Sequence, residues 1–145
     1  MSVTGLYNDD FALWTAETAR LLRAGRFDEV DVEHVAEEIE DMGKRDKREL
    51  HGRLTVLILG LSKRKWQAEK PTEGWQSTLL THRVELDRLL EDSPSLRRTI
   101  AGAIVKVYPD VRQLAESETG LPGTAFPNEC PFTPNQILDR AFLPQ

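Results

Sequence analysis

Apolar residues recur at intervals of three and four along most of the chain, the period of an α-helix laid against a core. Phe11, Trp14, Thr18, Leu21 and Leu22 define the first such face. They predict a helix capped by Asp9 or Asp10 and closed at Ala24-Gly25. A second helix opens at Asp31, a good N-cap, with Glu33 adding negative charge at the positive end of the macrodipole. Val32, Val35, Ala36, Ile39 and Met42 share one face, and the stripe resumes as Leu50, Leu54, Leu57, Ile58 and Leu61. Only Gly43 and Asp46 interrupt it. The pattern fits one long helix to about Trp66, kinked near Gly43, and it also fits two helices broken there.

Residues 54–61, LTVLILGL, are apolar on every side, because Val56 and Leu59 lie opposite Leu54, Leu57 and Leu61. A helix apolar all round is buried all round, so this is the predicted central element, with Leu57 deep inside and Gly60 allowing a close crossing. After Pro71, with Thr72 as a cap, Trp75, Leu79, His82, Leu86 and Leu89 keep the alternating spacing of an antiparallel bundle seam. Ser93-Pro94 starts a fourth helix carrying Leu96, Ile100, Ala103, Ile104, Val107, Val111 and Leu114, and Gly120 stops it. Pro109 inside it removes a backbone donor and predicts a bend.

Beyond Gly120 the pattern changes: five of the eight prolines fall in residues 121–145. Proline at that density forbids a long helix, yet Phe126, Phe132, Ile137, Leu138, Phe142 and Leu143 are too apolar for a free tail. The segment reads as a strap over the bundle, with one short helix whose capping box is Thr133 and Gln136 around Pro134. The predicted fold is all-α, a four-to-five-helix bundle with a central buried helix and a Pro-rich C-terminal strap. Residues 1–145 form one domain in this reading, with 1–120 the bundle and 121–145 the strap.

Composition adjusts this picture little. With 39 % hydrophobic and 30 % charged residues the chain is an ordinary globular one. A net charge of −5 argues against a general nucleic-acid coat while leaving room for a local basic strip. Cys130 is the only cysteine, so no disulfide forms within the chain, and a cytoplasmic home is expected. No apolar run is long enough to cross a bilayer and the first ten residues carry no secretory signal, so no membrane partner is expected.

Candidate chemistry is sparse. In residues 32–41, VEHVAEEIED, the side chains of His34, Glu38 and Asp41 share one strip of the helix, and Glu33, Glu37 and Glu40 another. A zinc site needs three or four converging ligands, and this helix offers at most a histidine and two carboxylates. A solvated face explains more, with Glu40–Lys44 and Asp41–Arg45 as helical ion pairs. His82 occupies a seam position with Arg83 at its edge, the other place where an enzyme or metal site could be centred. Cys130 has no basic neighbour in sequence to activate it and reads as an apolar plug under the strap. No cofactor and no metal are expected.

The densest unusual feature is residues 62–83, SKRKWQAEKPTEGWQSTLLTHR. Lys63, Arg64, Lys65 and Lys70 surround Trp66 and Trp75 at a helix-to-helix corner of an acidic protein, with His82 and Arg83 a few turns on. Tryptophan and arginine are enriched in interface hot spots, and basic surfaces with aromatics suit acidic peptides or single strands. The expected function is a non-enzymatic binding module using this corner, for a protein partner or self-association, with nucleic acid as the other partner class. The competing view is that both tryptophans anchor the strap and the bases solvate a corner. Trp75, at the head of the seam, is expected to pack under the strap, leaving Trp66 exposed.

DVEHVAEEIEDMGKRDKREL, LSKRKWQAEK, GWQSTLLTHRVELDRLLEDSPSL, ETGLP and FPNECPFTPNQILDRAFLP together resemble the bacterial domain-of-unknown-function family 29 from about Asp10 to Pro144. The resemblance is most specific at Trp66-Gln67, at Trp75, at residues 91–96 and in the closing CPFTPNQILDRAFLP. It implies a compact all-α protein. It implies no activity and assigns no catalytic residue.

Overall fold

A computed structural model of the protein describes residues 3–67 and 73–145. The architecture is all-α, with no strand among the described residues. The helices are α1 (Val3–Asp9), α2 (Phe11–Arg23), α3 (Val32–Trp66), α4 (Trp75–Asp92), α5 (Ile100–Thr119) and α6 (Pro134–Leu138), with short 3-10 turns at Phe27–Glu29, Pro94–Thr99 and Gly123–Ala125. The chain divides into two compact units, Met1–Arg45 and Asp46–Gln145.

In the first unit Asp10, not Asp9, caps α2: its carboxylate accepts the Leu13 N–H at 3.0 Å. Gly25, at φ +74°, supplies the left-handed turn that ends the helix. Leu6, Trp14, Thr18 and Leu21 are buried. Phe11 and Leu22, expected on the buried face, are exposed. They sit at the margins of the stripe, and α1, an element the periodicity did not predict, leaves both largely open. Tyr7 of α1 packs edge-on against one side of Phe11 and against Trp14. α3 is one helix with no break at Gly43. Its first apolar residues are a correction to the amphipathic expectation: Val32, Ile39 and Met42 are 65 %, 58 % and 51 % exposed.

In the second unit the same stripe is the core. Leu50, Leu54, Leu57, Ile58 and Leu61 are all at 0 % exposure, among residues of α4, α5 and the strap. Gly60 permits the close crossing expected of it, for a Cβ there would meet Leu79 Cδ2 at 2.7 Å. The predicted Thr72 cap lies outside the described residues, and α4 opens from Gly74 at φ +88°. Ser93-Pro94 starts a 3-10 turn, and the α-helix begins only at Ile100. The Ser93 side chain makes no capping bond, and its carbonyl takes the i+3 Leu96 N–H instead. α5 then runs unbroken through Pro109. Its buried face takes Tyr108 and Ala115, while Leu114, expected inside, is exposed.

The strap is built as the sequence implied. Thr133 Oγ1 accepts the Gln136 N–H at 3.1 Å and Gln136 Oε1 accepts the Thr133 N–H at 2.9 Å, with Pro134 opening the helix. Phe126, Phe132 and Ile137 are buried, and Leu138 and Phe142 pack partly against the core. Leu143 is the exception and stays exposed.

Candidate functional site

The residues proposed for the basic corner belong to the second unit, and the fold sends them to different partners. Trp66, at the last turn of α3, meets the strap edge-on at Phe126 (5.9 Å between centroids) and tilted at Phe132 (6.3 Å). This reverses the expectation for the two tryptophans: the strap-packed ring belongs to Trp66. The reason is position, since the end of α3 lies where the strap's phenylalanines pass. Trp75 instead begins α4 and turns its indole nitrogen toward Gly60, where it is buried without a hydrogen-bond acceptor among the described residues.

The bases divide in the same way. Lys63 reaches Glu118 of α5 at 3.5 Å, so a carboxylate of the protein itself already occupies part of the corner. Lys65 is exposed and holds its ammonium 5.2 Å from the Trp66 ring centre, within cation–π range. Arg64 is exposed and forms no ion pair among the described residues. Lys70 lies outside the described residues.

Arg83 is not at the edge of the seam, as the helical wheel suggested, but at 1 % exposure in the core. Its guanidinium donates from Nε to the Ile137 carbonyl at 2.8 Å, from Nη1 to Phe142 O at 3.0 Å and from Nη2 to Gln136 O at 3.1 Å. Three backbone acceptors of the strap thus converge on one cation. Burial pushes its pKa down and Asp139 opposes that, but a guanidinium stays charged in either case. The role is a clamp: carbonyls left unpaired by α6 and the turn after it are satisfied by a side chain of α4. His82, its neighbour in sequence, points elsewhere. Its Nδ1 lies 3.2 Å from Arg53 Nη1, and Arg53 is itself paired with Glu49 at 3.1 Å. Burial and then the Arg53 charge push the His82 pKa down, which favours a neutral ring accepting from Arg53. His82 and Arg83 therefore do not form one catalytic pair.

In the first unit the His34, Glu38, Asp41 strip is engaged by α1. The Tyr7 hydroxyl donates to Glu38 Oε1 at 2.6 Å, and the Tyr7 ring stacks on the His34 imidazole at 3.8 Å. That hydrogen bond, with burial and the charges of Glu37, Glu38 and Asp41, pushes the Tyr7 pKa up to about 12. His34 Nδ1 also pairs with Asp31. Among the described residues no three His, Cys, Asp or Glu side chains are grouped as a metal would need. The helical pairs Glu40–Lys44 and Asp41–Arg45 do not form, and none of these four side chains makes an ion pair among the described residues.

One concavity was not anticipated. A groove of about 490 Å3 lies between α5 and the strap, lined by Ile104, Val105, Tyr108, Pro109, Cys130 and Phe132 among others. Pro109 has no N–H, so the Val105 carbonyl loses its helical donor at this groove. The Cys130 thiol is half-buried there, donates to the Phe132 carbonyl at 3.5 Å, and has its pKa pushed up by burial. The available signal was Val105, an apolar residue off the predicted stripe and four before a helix-interior proline.

These features define a helical protein whose buried charge is spent on its own backbone. The family model described as Domain of unknown function DUF29 matches residues 6–143, and the chain belongs to this family. No curated protein and no solved structure matches it. No helix among the described residues is long and apolar enough to cross a membrane.

Proposed function

We propose that this protein is a non-enzymatic interaction module that receives an acidic segment of a partner protein at the corner of Arg64 and Lys65. The observation that carries this reading is the Lys63–Glu118 pair: the corner already takes a carboxylate, and two further bases stand exposed beside it. Trp66, held by Phe126 and Phe132, gives the corner a fixed edge, and Lys65 lies over its ring. Preorganised charge of this kind loses little entropy on binding. A ring engaged by two phenylalanines offers less face for base stacking than a free platform, which favours an acidic peptide over a single strand.

The test is fluorescence anisotropy with two probes, an oligo-glutamate peptide and a single-stranded oligonucleotide. The peptide is expected to bind, to weaken with added salt, and to be lost in R64E/K65E at unchanged melting temperature. Binding of the oligonucleotide alone would transfer the corner to nucleic acid, and indifference of peptide binding to the charge reversal would remove the corner from the account.

A further inference from the structure

Gln76, Leu79, Leu80 and Arg83 are spaced at i, i+3, i+4 and i+7, one face of α4. Arg140, Ala141 and Leu143 of the strap join them around an open pocket of about 250 Å3. Its walls therefore combine two arginines with three leucines.

The positive charge on the α4 wall is only partly answered. Arg83, at 1 % exposure, is held by three carbonyls, which are neutral dipoles. It makes no ion pair among the described residues. A guanidinium has five N–H groups, so two of them lack an acceptor among the described residues. Buried charges are as a rule paired with an opposite charge. The Asp139 charge reaches Arg83, but from beyond ion-pair distance, and its Oδ1 accepts the Ala141 N–H at 2.9 Å. On the strap wall the exposed Arg140 gives Nε and Nη2 to Asp87 Oδ2 at 2.9 and 2.7 Å, which leaves its Nη1 unengaged. Between the arginines and Gln76 the surface is apolar: Leu79 is buried, while Leu80 and Leu143 are 46 % and 36 % exposed.

We infer that this pocket binds a small organic acid, its carboxylate held by Arg83 and Arg140 and its short apolar chain laid on Leu79, Leu80 and Leu143. A carboxylate matches the fork of a guanidinium and supplies the opposite charge that Arg83 lacks. A wholly polar anion such as inorganic phosphate would leave the leucines uncovered, and an uncharged apolar molecule would leave the guanidinium N–H groups unmet. Gln76 stands two turns before Arg83, about 10 Å along the axis, which limits the acid to one short chain. Asp87 competes with the ligand for Arg140. The pocket shares no residue with the Arg64–Lys65 corner, and either can fail without the other.

The test is amide and arginine-side-chain NMR on the full chain at neutral pH, titrated with hexanoate and, separately, with hexanamide. Hexanoate is expected to shift the Gln76, Ala141 and Leu143 amides and the Arg83 Nε–H saturably at millimolar concentration, and hexanamide to leave them in place. R140Q is expected to weaken hexanoate about tenfold, the worth of one charge-assisted hydrogen bond. D87N, which releases Arg140 from its competitor, is expected to tighten it. Residues 87 and 140 pair outside the core, so both variants should keep the parent melting temperature, and the hexanamide control needs no variant at all. Absence of saturable shifts, an equal response to hexanamide, or hexanoate binding unchanged in both R140Q and D87N overturns the inference. Shifts confined to residues around Arg64 and Lys65 also overturn it, by placing the anion at the corner.

Discussion

The two halves of α3 carry the same stripe and meet opposite fates. Val32, Ile39 and Met42 stand in solvent, whereas Leu50, Leu54, Leu57 and Leu61, spaced just as a helix face requires, are wholly enclosed. The difference is not in the hydrophobic pattern. It lies in what each half is given to pack against: the later half has α4, α5 and a strap folded onto one core, while the earlier half has α1 engaged at His34 and Glu38, beside the stripe and not on it. Periodicity reports that a face is apolar and leaves open whether the covering layer comes from the same molecule.

The largest effect should follow from stripping the cover from the enclosed half. Deletion from Leu121 onward removes Phe126, Phe132 and Ile137 from the core and leaves the Arg83 guanidinium buried without its three carbonyl acceptors. A buried charge without partners is among the costliest defects in a fold. The truncated chain is expected to aggregate or to bind a hydrophobic dye with loss of near-ultraviolet circular dichroism. A soluble, cooperatively melting truncation would mean that the two halves of α3 differ for another reason.

A gentler comparison uses one substitution in each half. Leu57→Ala empties space in the core and is expected to cost about 2–5 kcal/mol in urea unfolding. Ile39→Ala is expected to change stability by less than about 0.5 kcal/mol, as exposed positions do. Equal costs at both positions would show that the first half is enclosed within the monomer after all.

The same contrast explains what was legible in advance. Apart from α1 and the 3-10 start at Pro94, the helices, the enclosed Leu57, the Gly60 crossing and the Thr133–Gln136 capping box follow from spacing and local chemistry, which the sequence carries in short windows. Arg83 did not, because its acceptors are backbone carbonyls more than fifty residues away, and any residue type would present the same carbonyl. One step along a helix separates His82 from Arg83, a rotation of about 100° that a four-three seam does not resolve. The tryptophans were exchanged for a related reason. Heading a seam places Trp75 against α3, but which ring the strap crosses depends on the path of a proline-rich segment that has no period.

The smallest effect concerns protons around the enclosed half. Burial pushes the pKa of both His51 and His82 below the ordinary 6.5, helped by Lys106 and Lys47 for the first and by Arg53 for the second. Each ring therefore holds its proton less tightly in the folded chain than in the unfolded one. The unfolded state then binds more protons, so stability is complete above the unfolded value and is lost as pH falls through the folded one. Melting temperature is expected to decline from neutral toward mildly acid pH, and His82→Gln, which cannot take up a proton, should flatten part of that decline. Arg53 reinforces what burial begins: a protonated His82 would meet a like charge at 3.2 Å, and Arg53 would lose its acceptor. A His82→Gln protein that keeps the full acid slope would assign the proton uptake to His51 or to the carboxylates, and the Arg53 contact would then carry no pH dependence.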